Sequence, residues 1–391
     1  MGIFSKSKDE EELAIVFDVG SSSIGGALFY LNKSKVPKII FSFREDIKLE
    51  AEFDFDNFLS ASIKTLGDVA GKMCMTGLGT PKKFFCILAS PWYASQTRVV
   101  RVEKNTPFIF TTKLADELTQ KEIDLFKEEH LSKYNQEGSK AVPIEFKNMK
   151  TVLNGYATES PINQKAKELE MTMFFSISSE QFLKRVEDTI DQHFHRKDVK
   201  FSSFALVSFA VARDLFFEQE NFLLVDIGGE ITDISMVKKD ILSNSISFPK
   251  GVNFMIRGIA NIMKCSLPEA RSLLSLYKDG HAEALTEQKL APMIDSLKNE
   301  WLGEFQNSLA NLSNDISIPA NIFITIDKDF ATFFSDIIKT EQFSQYTLTE
   351  SKFNVVFLGA EKLHGSAIIT NDTDRDPFVI MDAVYINKFI R

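Results

Sequence analysis

One pattern occurs twice and restricts what this chain can become more than any other. A hydrophobic strand ends in an aspartate, turns on a glycine and passes at once into a second strand. It appears first as "AIVFDVGSSSIGGALF", with its corner at Asp18-Val19-Gly20, and again as "LLVDIGGEITDISMV", with its corner at Asp226-Ile227-Gly228. Each copy opens a three-strand meander, completed by "PKIIFSF" in the first and "SISFP" in the second, with helical periodicity after it. Such repetition across 391 residues predicts an α/β protein of two similar lobes facing a cleft.

The corners suit phosphate chemistry. Glycine lets the backbone turn sharply and approach an anion closely, so that successive amide N–H groups can point at phosphate oxygens. An aspartate at a strand end can hold Mg2+, usually through water. The candidate nucleotide-binding residues are therefore Asp18, Gly20, Ser21 and Ser22 in the first corner and Asp226, Gly228, Gly229 and Thr232 in the second, with Asp18 and Asp226 as metal ligands. A single D-x-G means little, because any strand-to-turn junction can produce one. The matched pair is much more specific.

Composition removes other classes. A net charge of −9 and 25% charged residues spread along the chain leave no basic face for a nucleic-acid groove. Cys74, Cys86 and Cys265 are scattered, which fits neither a disulfide framework nor zinc spacing. No apolar run reaches membrane-spanning length, and there is no signal-peptide core. The expectation is a cytoplasmic protein.

Between the corners, "TTKLADELTQKEIDLFKEEH" reads as an exposed helix, and "IEFKNMKTVLNGYA" and "ELEMTMFFSIS" as long alternating strands. These suggest an inserted α+β subdomain at 107–178, followed by a helix at 179–194 opened by a capping box of Ser178 and Gln181. The chain then divides into a disordered tail (1–12), a first lobe (13–106 and 179–220), the insert, and a second lobe (221–391) that ends in an evenly apolar helix packed on its own sheet. His193 and His195 lack a Cys or carboxylate at ligand spacing and read as surface residues; Trp92 and Tyr93 read as packing at the junction of lobe and insert.

These segments resemble the actin-like ATPase superfamily, and within it the branch of the cell-division protein FtsA and the pilus-assembly protein PilM. "FDVGSSSIGGALF" resembles the first phosphate motif and "VDIGGEITDISMV" the second, with Glu230 where a third glycine is common and Ile231 where Thr is usual. "FPKGVNFMIRGIA" resembles the segment that follows, and "LNGYATESPINQKAKELEMTMFFSIS" the FtsA-type insert. The resemblance implies the actin-like two-lobe, ribonuclease H-like fold, with ATP and Mg2+ as cofactors and self-association as a family habit.

The departures from that pattern bear on activity. The adenosine motif is a strand ending in glycines, but here "NIFITIDKDFATFF" places Ile326 and Asp327 at that point, where bulk would crowd the base. The acid that positions the attacking water is replaced by Ser203 and Phe204 in "SSFALVSFAVARDL". Hydrolysis needs positioned water as well as phosphate clamps, so the expectation is a pseudo-ATPase with no catalytic residue and weak or absent nucleotide binding. The resemblance then implies an adaptor at a membrane-associated machine, reaching the inner face of the cell membrane only through partners. An FtsA-like adaptor would dock the FtsZ-like division protein on its second lobe. A PilM-like one would hold a peptide of a pilus inner-membrane protein in a groove beside the insert. The alternatives are a nucleotide-dependent polymerising ATPase and, further off, a phosphotransferase of the same fold.

Overall fold

The computed structural model describes residues 12–32, 36–133, 140–313, 318–340, 352–371 and 373–390. The expected disordered tail lies outside the described residues apart from Glu12.

The first meander comprises β1 (Glu12–Val19), β2 (Ser23–Leu31) and β3 (Lys38–Asp46), joined antiparallel in that order. Helix α1 (Phe55–Cys74) follows, opened by Asp54, whose side chain accepts from the Asn57 N–H. Strand β4 (Lys83–Leu88) then pairs parallel with β1.

The insert begins earlier than its composition suggests. Strand β5 (Ala94–Ile109) pairs along its length with β8 (Lys165–Ser179), with α2 (Thr112–Lys133), β6 (Ala141–Leu153) and β7 (Tyr156–Ala157) between them. The small sheet has the order β5-β8-β6-β7, so the insert takes in residues from about 94 rather than 107. Its buried core is Phe110, Phe126, Leu169, Met171, Met173 and Phe175, with their neighbours.

The chain returns through α3 (Glu180–Phe194), β9 (Val199–Ser203) and α4 (Phe204–Leu215). The N-cap of α3 is Ser179, one residue later than expected, because Ser178 Oγ is committed to the Trp92 carbonyl at 2.6 Å.

The second lobe repeats the order of the first. It has β10 (Phe222–Ile227), β11 (Thr232–Lys238), β12 (Ile241–Phe248), α5 (Val252–Met263), α6 (Leu267–Lys278), α7 (Ala284–Ser313), β13 (Asn321–Thr325), α8 (Lys328–Thr340) and β14 (Asn354–Phe357). Its sheet runs β12-β11-β10-β13-β14, against β3-β2-β1-β4-β9 in the first lobe. Strands β1 and β10 therefore hold equivalent central places, as the repeated corners require.

The last elements cross back. Strand β15 (Ile368–Ile369) joins the first sheet beside β3, and α9 (Pro377–Tyr385) packs on β1, β2 and α4 before a π-helical turn at Ile386–Ile390. The C-terminal helix thus lies on the first lobe's sheet rather than the second's. Its even apolarity has a direct cause: α4 and α9 share one buried cluster with β1 and β2 on one side and with Phe222, Leu224 and Phe323 of the second sheet on the other. A helix buried between two sheets is apolar all round. Among the described residues, no helix is long and apolar enough to cross a membrane.

Candidate functional site: the two glycine corners

The two corners do face one another, and they touch. Ser21 is buried, and its Oγ accepts a hydrogen bond from the Glu230 backbone N–H at 3.2 Å. A methyl group added at Gly228 would lie 2.7 Å from Ser21 Oγ, and one added at Gly229 2.7 Å from the Ser21 carbonyl oxygen. The glycines serve close approach of backbone to backbone. The cavity beside this junction measures only about 10 Å3, against several hundred for a small-molecule site.

Several polar groups of the corners are engaged by the protein itself. Gly20 donates to the Ser23 carbonyl at 3.2 Å, and its own carbonyl accepts from Trp92 Nε1 at 3.0 Å. Trp92 stacks between Phe58 and Phe182, so it belongs to the first-lobe core and fixes the corner from below. The Ser22 carbonyl accepts from the Ile47 N–H at 2.8 Å. The carbonyls of Gly228 and Gly229 accept from Val252 and Asn253, the first two residues of α5. Thr232 is fully buried and donates to the Lys250 carbonyl at 2.7 Å, so its hydroxyl works inside the second lobe and not at the cleft.

The two aspartates have different partners. Arg44, on β3, donates through Nη2 to Asp18 at 2.5 Å, through Nε to Asp376 at 2.6 Å and through Nη1 to Ser23 Oγ at 3.0 Å. Burial alone would lower the Arg44 pKa, but Asp376 and Asp18 raise it, so the guanidinium stays charged. Burial raises the Asp18 carboxyl while Arg44 pulls the other way. Asp18 thus has an internal cation, the Arg44 guanidinium, as its partner.

Asp226 accepts from Thr325 Oγ1 at 2.7 Å and lies directly across the β10–β11 ladder from Asp233. Its pKa is pushed up to about 8 by burial, then by the Asp233 charge, with Thr325 opposing and Asp18 adding a little. Among the described residues, no group of three His, Cys, Asp or Glu is arranged to hold a metal ion. In this arrangement the residues present do not fit a magnesium–nucleotide between the corners.

Two expectations about the eroded motifs need correction in their physical reason. Ile326 turns wholly into the second-lobe core and does not crowd the cleft, and the Asp327 side chain accepts from the Asp329 N–H as α8 begins. The close contact in this region is between the corners themselves. Ser203 does stand at the start of α4, yet an acid is beside it. Glu145, from β6 of the insert, accepts from the Ser203 N–H at 2.9 Å and from the Ser203 and Ser176 hydroxyls. Glu145 borders a groove of about 470 Å3 between the insert, β9 and the C-terminal segment, where Ile144, Phe146, Phe201, Tyr385 and Phe389 also line the wall.

Sequence reasoning missed Arg44, Asp376 and Glu145. One signal for Arg44 was present: Gly25 and Gly26 interrupt a strand, a sign of close packing. A methyl at Gly25 would sit 2.5 Å from Arg44 Nη2.

No family profile matches the sequence, and no curated protein matches it either. Solved structures do. A chain of a PilM–PilN type IV pilus biogenesis complex superposes with a TM-score of 0.59 at 12% identity, over 96% of both chains. MreB 5 of Spiroplasma citri bound to AMPPNP gives 0.44 at 8% identity over 96% of both chains. The ethanolamine utilization protein EutJ from Carboxydothermus hydrogenoformans gives 0.42 at 11% identity, over 95% of this chain and 88% of that one. With two sheets of matching strand order and paired aspartate–glycine corners, the chain has the actin-like ATPase fold, shared over its length with the chain of the PilM–PilN complex.

Proposed function

We propose that this protein is a peptide-docking adaptor of a type IV pilus platform, acting at the inner face of the cell membrane through its partners and without turnover of ATP. The observation that carries this reading is the groove between the insert and the first lobe, bordered by Glu145. Its apolar walls and its few polar groups suit a short extended segment whose backbone and side chains need both. Full-length likeness to a chain of a pilus complex supports the pilus over the division ring as the setting. The closed corners support binding without hydrolysis, since a reaction needs room for the phosphates and a positioned water.

The test is affinity capture from native lysate with the tagged full chain, read by mass spectrometry. Recovery of a pilus inner-membrane protein, lost in Phe201→Glu while the fold is retained by circular dichroism, supports the proposal. Recovery of the tubulin-like division protein FtsZ in its place moves the adaptor to the division ring. Capture of neither, together with ATP turnover that Asp18→Ala abolishes, overturns the adaptor reading in favour of an enzyme.

A further inference from the structure

In an actin-like architecture a nucleotide bound between two glycine corners can hold both lobes at once, because each corner grips one side of the phosphates. Here the corners contact each other directly, and the contacts around them form a connected set. Glu230, in the second corner, is gripped by Arg257 of α5 through two parallel bonds, Nη1 to Oε2 at 2.6 Å and Nη2 to Oε1 at 2.9 Å. Asn253, also on α5, adds Nδ2 to Oε1 at 2.8 Å. The third donor of Arg257, Nε, crosses to the first lobe and bonds the Glu50 carbonyl at 2.9 Å.

Glu50 belongs to a strap, residues 47–54, that joins β3 to α1 and lies over the corners. Its Ile47 is buried in the first-lobe core while Leu49 packs against the second-lobe core. The strap therefore straddles the cleft. Behind it, Ser21 of the first lobe takes the Glu230 N–H.

The chemistry of this set is that of an anion site already filled. A guanidinium fork and a side-chain amide at the first turn of a helix are donors suited to a phosphate or carboxylate. The carboxylate they hold is the protein's own. On the other side, Asp18 has Arg44 as its cation. We infer that Glu230 and Arg257, with Glu50 and Ser21, form a built-in clasp that fastens the two lobes in the closed arrangement and takes the place of a bound nucleotide. The closed state is then set by the sequence and not by cofactor supply. This inference does not depend on which partner the groove accepts.

Hydrogen–deuterium exchange on the full chain tests it, followed at the strap 47–54 and the corner 228–231. For the wild type, millimolar Mg-ATP should leave exchange in both segments unchanged. Arg257→Ala should speed exchange in the strap by about tenfold or more and increase the radius of gyration in solution scattering. Arg257→Lys, which keeps the charge but loses the fork, should fall between. Slowing of wild-type exchange at the corners by Mg-ATP would overturn the inference, since nucleotide would then be entering. So would an Arg257→Ala protein whose strap exchanges at the wild-type rate. The wild-type arm needs no substitution, so it decides even if a variant fails to fold.

Discussion

Glu145 Oε1 accepts a hydrogen bond from the Ser203 backbone N–H at 2.9 Å, and through this bond the insert caps the first turn of the helix that runs between the lobes. The free N–H groups at a helix start need acceptors, and a carboxylate is favoured there by the helix dipole. Ser203 is fully buried, so water cannot replace the lost acceptor. Glu145→Ala should therefore destabilise the protein by about 1–3 kcal/mol, the cost of leaving buried donors unmade. Urea unfolding followed by far-UV circular dichroism measures this. Wild-type stability in the variant would mean the bond contributes nothing net.

A second prediction concerns two glycines of opposite character. A methyl at Gly251 would lie 2.2 Å from the Gly228 carbonyl oxygen and 2.5 Å from that of Gly229, both backbone atoms that cannot swing aside. Gly251→Ala should cost about 1–3 kcal/mol or more by overpacking. It should also push the second corner out of line. Gly303, within α7, has nothing within 4 Å of an added methyl. Gly303→Ala should stabilise by about 0.5–1 kcal/mol through lost freedom of the unfolded chain. Thermal melts of the pair should move in opposite directions.

The legibility of this fold was uneven for physical reasons. The repeated corners and meanders were readable because strand periodicity and Asp-Gly turns are local signals, and β1 and β10 do occupy matching places. The destination of α9 was not readable. Its apolar surface says that it is buried, but which sheet buries it depends on β15 pairing with β3 across the whole chain. The same limit applies at the corners. Asp18 and Asp226 were found from sequence, whereas Arg44, Asp376 and Glu145 reach their partners across long separations that no spacing rule encodes. Ile326 shows the reverse error: a bulky residue at a glycine position suggested a blocked cleft, while the backbone simply turns the side chain into the core.

Asp382, on α9, is fully buried, and both of its carboxylate oxygens lack a hydrogen-bond partner among the described residues. Burial raises its pKa well above the ordinary value, and the Asp18 charge adds to this against the pull of Arg44. A carboxyl whose folded pKa is raised binds more protons when folded. The stability contributed by this group is therefore complete below the unfolded carboxyl value of about 4 and declines as pH rises toward the folded one. Asp382→Asn removes the ionisation and so should remove that decline. The variant should match the wild type near pH 4 and exceed it at pH 8. Equal stability of the two proteins at both pH values would show that Asp382 is not held protonated.

The Asp226 carboxyl provides a test with two signs. Its pKa is pushed up to about 8, by burial first and by the facing Asp233 second, and is held back by the Thr325 hydroxyl. Carbon-13 NMR on selectively labelled protein should show a carboxyl midpoint near 8 for this residue. Removing the neighbouring charge with Asp233→Asn should lower that midpoint, because the second carboxylate no longer opposes ionisation. Removing the donor with Thr325→Val should raise it further, because the hydroxyl favours the charged form. The folded value exceeds the unfolded one, so stability contributed by this residue is complete below about pH 4 and is lost as pH rises toward 8. Asp226→Asn should flatten that part of the stability profile. A wild-type midpoint near 4, or changes of the same sign in both neighbour variants, would contradict the assignment of these causes.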